Sequence, residues 1–386
     1  MTAIDNRRTS AAAGRPPRRV LIAVIAATVT AAVLAAITPW PRGFQGTPTG
    51  DAALMTALED ALGSQHWQHV AVARIDGNGG RYGDGKVTFA GTGADEHTEF
   101  EIGSITKTFT AALFAEAIDR GEVKADTRLG EVWPDLEGKV AEVTLESIAM
   151  QRSGLPSQEP APSFGDGVMS VLSNYLHTDP YRGDAGDIVA SLNDVEVGEP
   201  EPEYSNYGFA VLGQALAEAA GQDYSDLVRY RLTEPLGMEE TFVPESADGL
   251  SHGFTASGLP AAPWTMTGSA PAGAIRSTTH DLSIWLRAVR ERTAPGAEAA
   301  LQRADFDEED RIGWAWFTTR KGSPQLTWHN GGTGGYGSYL GFDRETGDGA
   351  IVLNDSANDV DAAATLIGAD AAAASADEGS AKGDRS

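Results

Sequence analysis

The sequence predicts an α+β fold in which a sheet is interrupted by a helical lobe. Three observations lead there. His69-Val-Ala-Val-Ala-Arg-Ile75 alternates between two side-chain faces as a strand does, short β-branched and aromatic runs recur from residue 314 onward, and the stretch between carries apolar residues mostly at helical spacing. Early and late strands separated by helices describe a chain that leaves its sheet, builds a second lobe and returns.

Taken in order, Ala52–Leu62 has the three-and-four spacing of a helix, and residues 69–75 form a strand ended by the Gly77-Asn-Gly-Gly80 turn of a hairpin. A second helix is predicted from Ser104 through Ile118, with Gly121 as its stop because glycine tolerates the left-handed conformation that ends helices. Loop-rich and helical pieces follow to about Gly249, including a helix over residues 208–220. Strands are predicted at 314–319, 325–328, 338–342 and 350–353, and a last helix over 360–374.

The first 50 residues read differently. Residues 20–38 carry no charge and would span ~28 Å as a helix, near the thickness of a bilayer core. Arg7, Arg8, Arg15, Arg18 and Arg19 precede them, so the positive-inside rule predicts a cytoplasmic basic tail (1–19), a transmembrane signal anchor (20–38) and an exported remainder. A cleavable signal has a shorter apolar core, and Val33-Leu34-Ala35 is a weak cleavage site. The reading is therefore a single-pass cell-membrane anchor, with secretion as the alternative if the segment is cut. Residues 39–50, with three prolines and three glycines, are expected to be an extended linker, 51–376 the folded domain and 377–386 a disordered polar tail.

Composition removes several classes of function. With 55 acidic against 29 basic residues the formal charge is −26, which gives nucleic acid phosphates nothing to hold, so nucleic acid is not a predicted partner. The absence of cysteine rules out disulfides, thiolate metal sites and cysteine nucleophiles. His66 and His69 lack a carboxylate at ligand spacing and are read as ordinary polar residues, so no metal and no cofactor is expected. Gly332, Gly334 and Gly337 match a dinucleotide loop by spacing, but a strand rather than a helix is predicted after them.

Three short segments carry chemistry. In Ser104-Ile105-Thr106-Lys107 the hydroxyl and the amine are three residues apart, on one face of the predicted helix. A lysine forced out of water loses its proton readily and can then take one from a serine. Tyr204-Ser205-Asn206 precedes an apolar helical run, and His329-Asn330-Gly331 lies between two strand-like stretches. Taken singly, each pattern has an ordinary explanation: a capped helix start, a packed aromatic, an N-cap at Asn206 or a tight hairpin.

Together and in this order they resemble the serine beta-lactamase and penicillin-binding superfamily, in the branch that holds class C beta-lactamases, D-alanyl-D-alanine carboxypeptidases, D-aminopeptidases and serine esterases. The resemblance runs from about Ala52 to Ser356 and includes Ser153-Gly-Leu-Pro156, Glu234-Pro-Leu-Gly-Met238 and Ile351-Val-Leu-Asn354. Met150-Gln151-Arg152 departs from the pattern, where many relatives carry a His-Thr-like pair.

The resemblance implies a beta-lactamase-like architecture: an antiparallel sheet flanked by terminal helices, an inserted all-helical lobe, and a cleft between them. It implies Ser104 as nucleophile, Lys107 as its base and Tyr204 as a second base and later acid, its phenol ionised by two nearby cations. Asn206 is expected to orient substrate or hold Lys107. His329 and Gly331 are expected on an edge strand lining the cleft, and the backbone N–H groups of Ser104 and Gly332 as the oxyanion hole. The substrate expected is a small molecule or peptide carrying a D-amino acid amide or ester, handled through an acyl-enzyme, with D-alanyl-D-alanine carboxypeptidase chemistry first. A serine esterase or a weak beta-lactamase, and a non-catalytic module that binds wall peptides, are the alternatives.

Overall fold

The computed structural model describes residues 43–44, 46–77, 85–160, 173, 176–320 and 324–368, together with residue 28. The predicted anchor apart from residue 28, the turn at 78–80 and the polar tail lie outside the described residues. Among the described residues no helix is long and apolar enough to cross a membrane.

The predicted α+β fold is present. The first strand of its main sheet, β1 (Pro48–Gly50), comes from the stretch read as a linker, a correction to that boundary. An edge strand accepts proline because one side of its backbone needs no partner. β1 pairs with β3 (Val87–Thr92), β3 pairs with β2 (Val70–Ile75), and α1 (Ala52–Leu62) lies between β1 and β2 in the chain. Asp51 caps α1, accepting from the Leu54 N–H at 2.9 Å. Two short strands, β4 (Phe100–Glu101) and β5 (Arg276–Ser277), then pair with each other across the helical block.

The late strands complete the main sheet: β6 (Ala304–Asp305), β7 (Asp310–Ile312), β8 (Phe317–Thr319), β9 (Leu326–Gly332), β10 (Gly337–Asp343) and β11 (Gly349–Asn354). The order is β6-β7-β8-β9-β10-β11-β2-β3-β1, antiparallel throughout, so the last core strand returns to pair with the first. Residues 314–316 were predicted as strand and are not, because Ala315 has φ +64° and turns the chain away. β9 runs four residues past the predicted strand end and takes in His329, Gly331 and Gly332. The helix expected over 360–374 is a 3-10 turn at Asp361–Leu366, and residues beyond 368 lie outside the described set.

Both faces of the sheet are buried, which follows from the alternation of β2. Val70 and Val72 join Leu58, Leu62 and Trp67 under α1 and the Asp361–Leu366 turn. Ala71, Ala73 and Ile75 face the larger core with Phe109, Trp285 and Leu340. In that larger core the helix α2 (Thr106–Asp119) is buried on nearly every side from Thr106 to Ala115, packed against α3 (Asn206–Ala220) and α4 (Thr279–Glu291). Phe109 and Trp285 stack with ring centres 4.3 Å apart, and the indole N–H donates to Thr108 Oγ1 at 3.2 Å. A helix with no wet face cannot shift without opening the core, and α2 carries Lys107.

Candidate active site

Ser104 sits in a 3-10 turn, Gly103–Ile105, immediately before α2. The turn requires glycine at 103: φ is +49°, and an added Cβ would stand 2.7 Å from the Gly332 backbone nitrogen. Gly331 is as tightly held, since a Cβ there would meet the Ile102 carbonyl oxygen at 2.2 Å and the Ser104 nitrogen at 3.0 Å. The end of β9 is thereby pressed against the serine turn, and Ser338 Oγ donates to the Ile102 carbonyl at 2.8 Å to hold it there. The Gly331 contact is with the turn itself, so this residue acts through spacing.

Lys107 is fully buried, and its Nζ lies 2.9 Å from Ser104 Oγ, 2.7 Å from Asn206 Oδ1 and 2.6 Å from the Ala272 carbonyl oxygen. Burial lowers its pKa well below the ordinary value, with no carboxylate partner to restore the charge. A neutral amine has two hydrogens and one lone pair. Two of its three neighbours, an amide oxygen and a carbonyl oxygen, can only accept, so the two hydrogens go there and the lone pair is left facing the Ser104 hydroxyl. Such an arrangement can draw the hydroxyl proton toward the amine.

Tyr204 and Asn206 come from the turn that opens α3. The N-cap is Ser205, whose Oγ accepts from the Gly208 N–H at 2.7 Å, and not Asn206, whose amide is therefore free to reach Lys107. Gln151 fixes this turn: its Oε1 accepts from the Ser205 N–H at 2.7 Å and its carbonyl accepts from Glu203 N–H at 2.9 Å. Lys107 Nζ lies 4.9 Å from the centre of the Tyr204 ring, and the phenol has the Ser104 side chain as a hydrogen-bonding partner. The expected ionisation of Tyr204 is corrected. Burial drives its pKa upward, outweighing the Ser104 contact, so the phenol holds its proton.

His329 also differs from expectation. It is 1% exposed, with Phe317 and Tyr204 ring centres 5.6 and 6.4 Å away, and is not among the residues lining the cleft. Nδ1 is 2.6 Å from the Asn330 carbonyl and donates to it, which leaves Nε2 as a buried acceptor without a protein partner. Burial and, next, Lys107 push its pKa down to about 3, so it is a neutral imidazole and no cation for a substrate carboxylate.

The Thr333 N–H donates to Tyr336 O at the β9–β10 hairpin; because successive N–H groups in a strand alternate sides, that of Gly332 points away from β10. β8 pairs with β9 only at Thr327 and Trp328, so the Gly332 N–H faces an open edge beside Ser104. A backbone N–H facing an open edge beside a serine is one of the two donors that an oxyanion hole requires. Ser104 stands between two cavities. One, about 650 Å³, is lined by Asn206, Trp264, Met266, Gly332 and Thr333 among others; the other, about 380 Å³, is lined by Tyr204, Asn330 and Ser338 among others.

Sequence reasoning missed Gln151 and the Ala272 carbonyl. Gln151 stood out only as a departure from the family pattern, and a backbone acceptor leaves no trace in residue identity. Of the two histidines weighed as a metal pair, His69 instead hydrogen-bonds Asp355 through its ring and its backbone N–H. The glycine cluster leads into β10, as predicted, and not into a phosphate-binding helix.

The family model described as "Beta-lactamase" matches residues 57–374 of this chain. The chain belongs to the beta-lactamase family. Among curated relatives, this beta-lactamase family member is 26% identical over 283 residues to the D-alanyl-D-alanine-carboxypeptidase/endopeptidase AmpH of Escherichia coli K12, covering 65% of this chain and 69% of that one. A beta-lactamase of Pseudomonas fluorescens is 26% identical over 300 residues, covering 67% and 79%. In fold it matches a class C beta-lactamase from Rhodobacter sphaeroides (TM-score 0.65, 19% identity, 82% of this chain and 96% of that one). A D-stereospecific amidohydrolase from a Streptomyces species matches similarly (TM-score 0.64, 20% identity, 79% and 94%). It is a hydrolase of the serine beta-lactamase family with the beta-lactamase-like α+β fold.

Proposed function

We propose that this protein hydrolyses amides or esters of D-amino acids through an acyl-enzyme on Ser104, with D-alanyl-D-alanine carboxypeptidase chemistry as the leading case. The observation that carries the reading is the fully buried Lys107 Nζ standing 2.9 Å from Ser104 Oγ while its two other neighbours, the Asn206 amide oxygen and the Ala272 carbonyl, can only accept. Ser104 Oγ attacks the carbonyl carbon as its proton passes to Lys107 Nζ, and the carbonyl π pair moves onto oxygen between the Ser104 and Gly332 N–H groups. When the oxyanion collapses, the bond to the leaving group breaks, and the protonated Tyr204 phenol gives it a proton that Lys107 replaces. Water then attacks the acyl-serine, its proton returns through the same pair, and Ser104 is released. Asn206 keeps the amine oriented throughout.

The names of two similar proteins, a D-alanyl-D-alanine carboxypeptidase/endopeptidase and a D-stereospecific amidohydrolase, support the substrate class. A second reading, an esterase or amidase for substrates without a free carboxylate, is favoured by the neutrality of His329; Arg182 is the one cation among the described residues of the larger cleft. A complete nucleophile, base and phenol argue against a purely binding module. Export and anchoring by residues 20–38 belong to the same proposal and rest on the basic and apolar pattern of those residues.

The test is intact-mass analysis of the full chain exposed to a penicillin and to a short activated ester. Slowly released penicillin adducts support the peptidase, and fast ester turnover without adducts supports the second reading. Labelling that survives Ser104→Ala overturns both.

A further inference from the structure

Away from the cleft, His97, Glu240 and His280 come together from three remote stretches of chain. One ring nitrogen from each histidine and a Glu240 oxygen all lie within 4.8 Å of one another. His97 Nδ1 is 2.9 Å from Glu240 Oε1, and His280 Nδ1 is 3.9 Å from Glu240 Oε2. The two imidazoles face each other with centres 4.9 Å apart. These are two of the seven histidines in a chain of charge −26, and all three side chains are open to solvent, at 53%, 36% and 40% exposure.

The surroundings hold the three in place. Thr278 Oγ1 donates to Glu240 Oε2 at 2.9 Å, and the Glu240 N–H donates to Asp281 Oδ2 at 2.8 Å. The buried Asp281 also places Oδ1 3.1 Å from His280 Nδ1, so a second carboxylate stands at the same ring nitrogen, and the His280 backbone N–H donates to the Glu96 carbonyl at 2.9 Å. We propose that His97, Glu240 and His280 form a surface site for a divalent transition-metal ion of the zinc type, with the fourth position open to water.

Two imidazoles and a carboxylate are a donor set that zinc accepts, and bonds of about 2.0–2.1 Å in a tetrahedron set donor atoms roughly 3.3 Å apart. The observed 2.9 and 3.9 Å straddle that spacing, and the third pair of donors lies within 4.8 Å. Asp95, Glu96 and Glu99 on the same loop add negative charge around the ion. The ion would tie together the loop before β4, the turn before Phe242 and the start of α4. Since Phe242 bridges Arg276 of β5, it would clamp both strands of the β4–β5 pair, whose first strand ends three residues before Ser104.

The experiment is titration of the chelator-stripped full chain with zinc chloride, followed by calorimetry and by thermal unfolding. The expected result is one ion per chain, a rise of a few degrees in the unfolding midpoint at saturating zinc, and affinity reduced about 10–100-fold in His97→Gln, Glu240→Gln and His280→Gln, while His252→Gln binds as the wild type. Cobalt(II) added to the unmutated protein should give the absorption of a four-coordinate ion, a readout that does not depend on any variant folding. No zinc uptake at about 0.1 mM free ion, wild-type affinity in the three variants, or a six-coordinate cobalt spectrum overturns the proposal. Weakening in one variant alone overturns the three-ligand site.

Discussion

Lys107 shows how a single residue trades stability for reactivity. Unfolded, it takes up a proton anywhere below its ordinary value of 10.5; folded, burial delays uptake until far lower pH. Between those two values the unfolded chain holds the extra proton, so the residue opposes folding there, and stability rises with pH until the difference vanishes above about 10.5. Lys107→Met is therefore expected to raise the unfolding free energy in urea at neutral pH by about 1–2 kcal/mol, while acylation falls about 10²–10⁴-fold. Titrating kcat/KM checks the companion claim: the rate should reach its plateau well below pH 10. Because His329 titrates only at about 3, no limb near 6.5 should be present. A limb there that vanishes in His329→Asn would contradict the neutral, buried imidazole.

At the scale of elements, the site depends on two junctions. The turn into α3 places Tyr204 and Asn206 only because Ser205 caps the helix and Gln151 holds the backbone before it. Ser205→Ala should cost about 1 kcal/mol in chemical denaturation and lower kcat more than it raises KM, since the phenol and the amide lose their fixed positions. The meeting of β9 with the serine turn has less tolerance. Gly331→Ala sets a methyl 2.2 Å from the Ile102 carbonyl, so β9 must move away from Ser104. Activity should then fall far more than the unfolding midpoint, because the oxyanion hole needs both N–H groups within hydrogen-bond reach of one atom. An alanine variant with wild-type turnover would show that the Gly332 N–H is not used.

Across the whole molecule, Arg276 joins early chain to late chain. It is fully buried, pairs with Glu99, holds Glu101 at 2.9 Å and reaches the Tyr336 hydroxyl at 3.2 Å, spanning β4, β5 and the hairpin after β9. Desolvation raises the pKa of Glu101, and Arg276 is the main influence restraining it. Arg276→Met strands that carboxylate and should cost about 3–5 kcal/mol. The variant's Glu101 pKa then climbs further, so its folded state binds a proton that the unfolded state has already lost. Its stability should fall as pH rises through that window, and the deficit against wild type should narrow on acidification. Equal deficits at pH 5 and pH 8 in urea melts would show that Glu101 is not the residue left uncompensated.

How much of this was legible depended on the range of the physics involved. Ser104 and Lys107 could be read from residue order because three residues on a helix put them on one face whatever surrounds it. The alternation of residues 69–75 and the glycine stop at 121 are equally local, and they announced the strand β2 and the end of α2. The linker boundary failed because Pro48 marks an extended segment without saying whether that segment floats or joins a sheet edge. Tyr204 and His329 were found by pattern, but their protonation depends on which apolar side chains close over them. The histidine pair weighed from sequence lay three residues apart in the chain, whereas His97, Glu240 and His280 meet only after folding. Residue order alone thus determined the chemical types and the local geometry of the Ser104–Lys107 pair, since covalent connectivity enforces them. Tertiary structure decided what is charged, what is aimed and what is covered, because dielectric, hydrogen-bond direction and packing are properties of neighbours that the chain brings from far away.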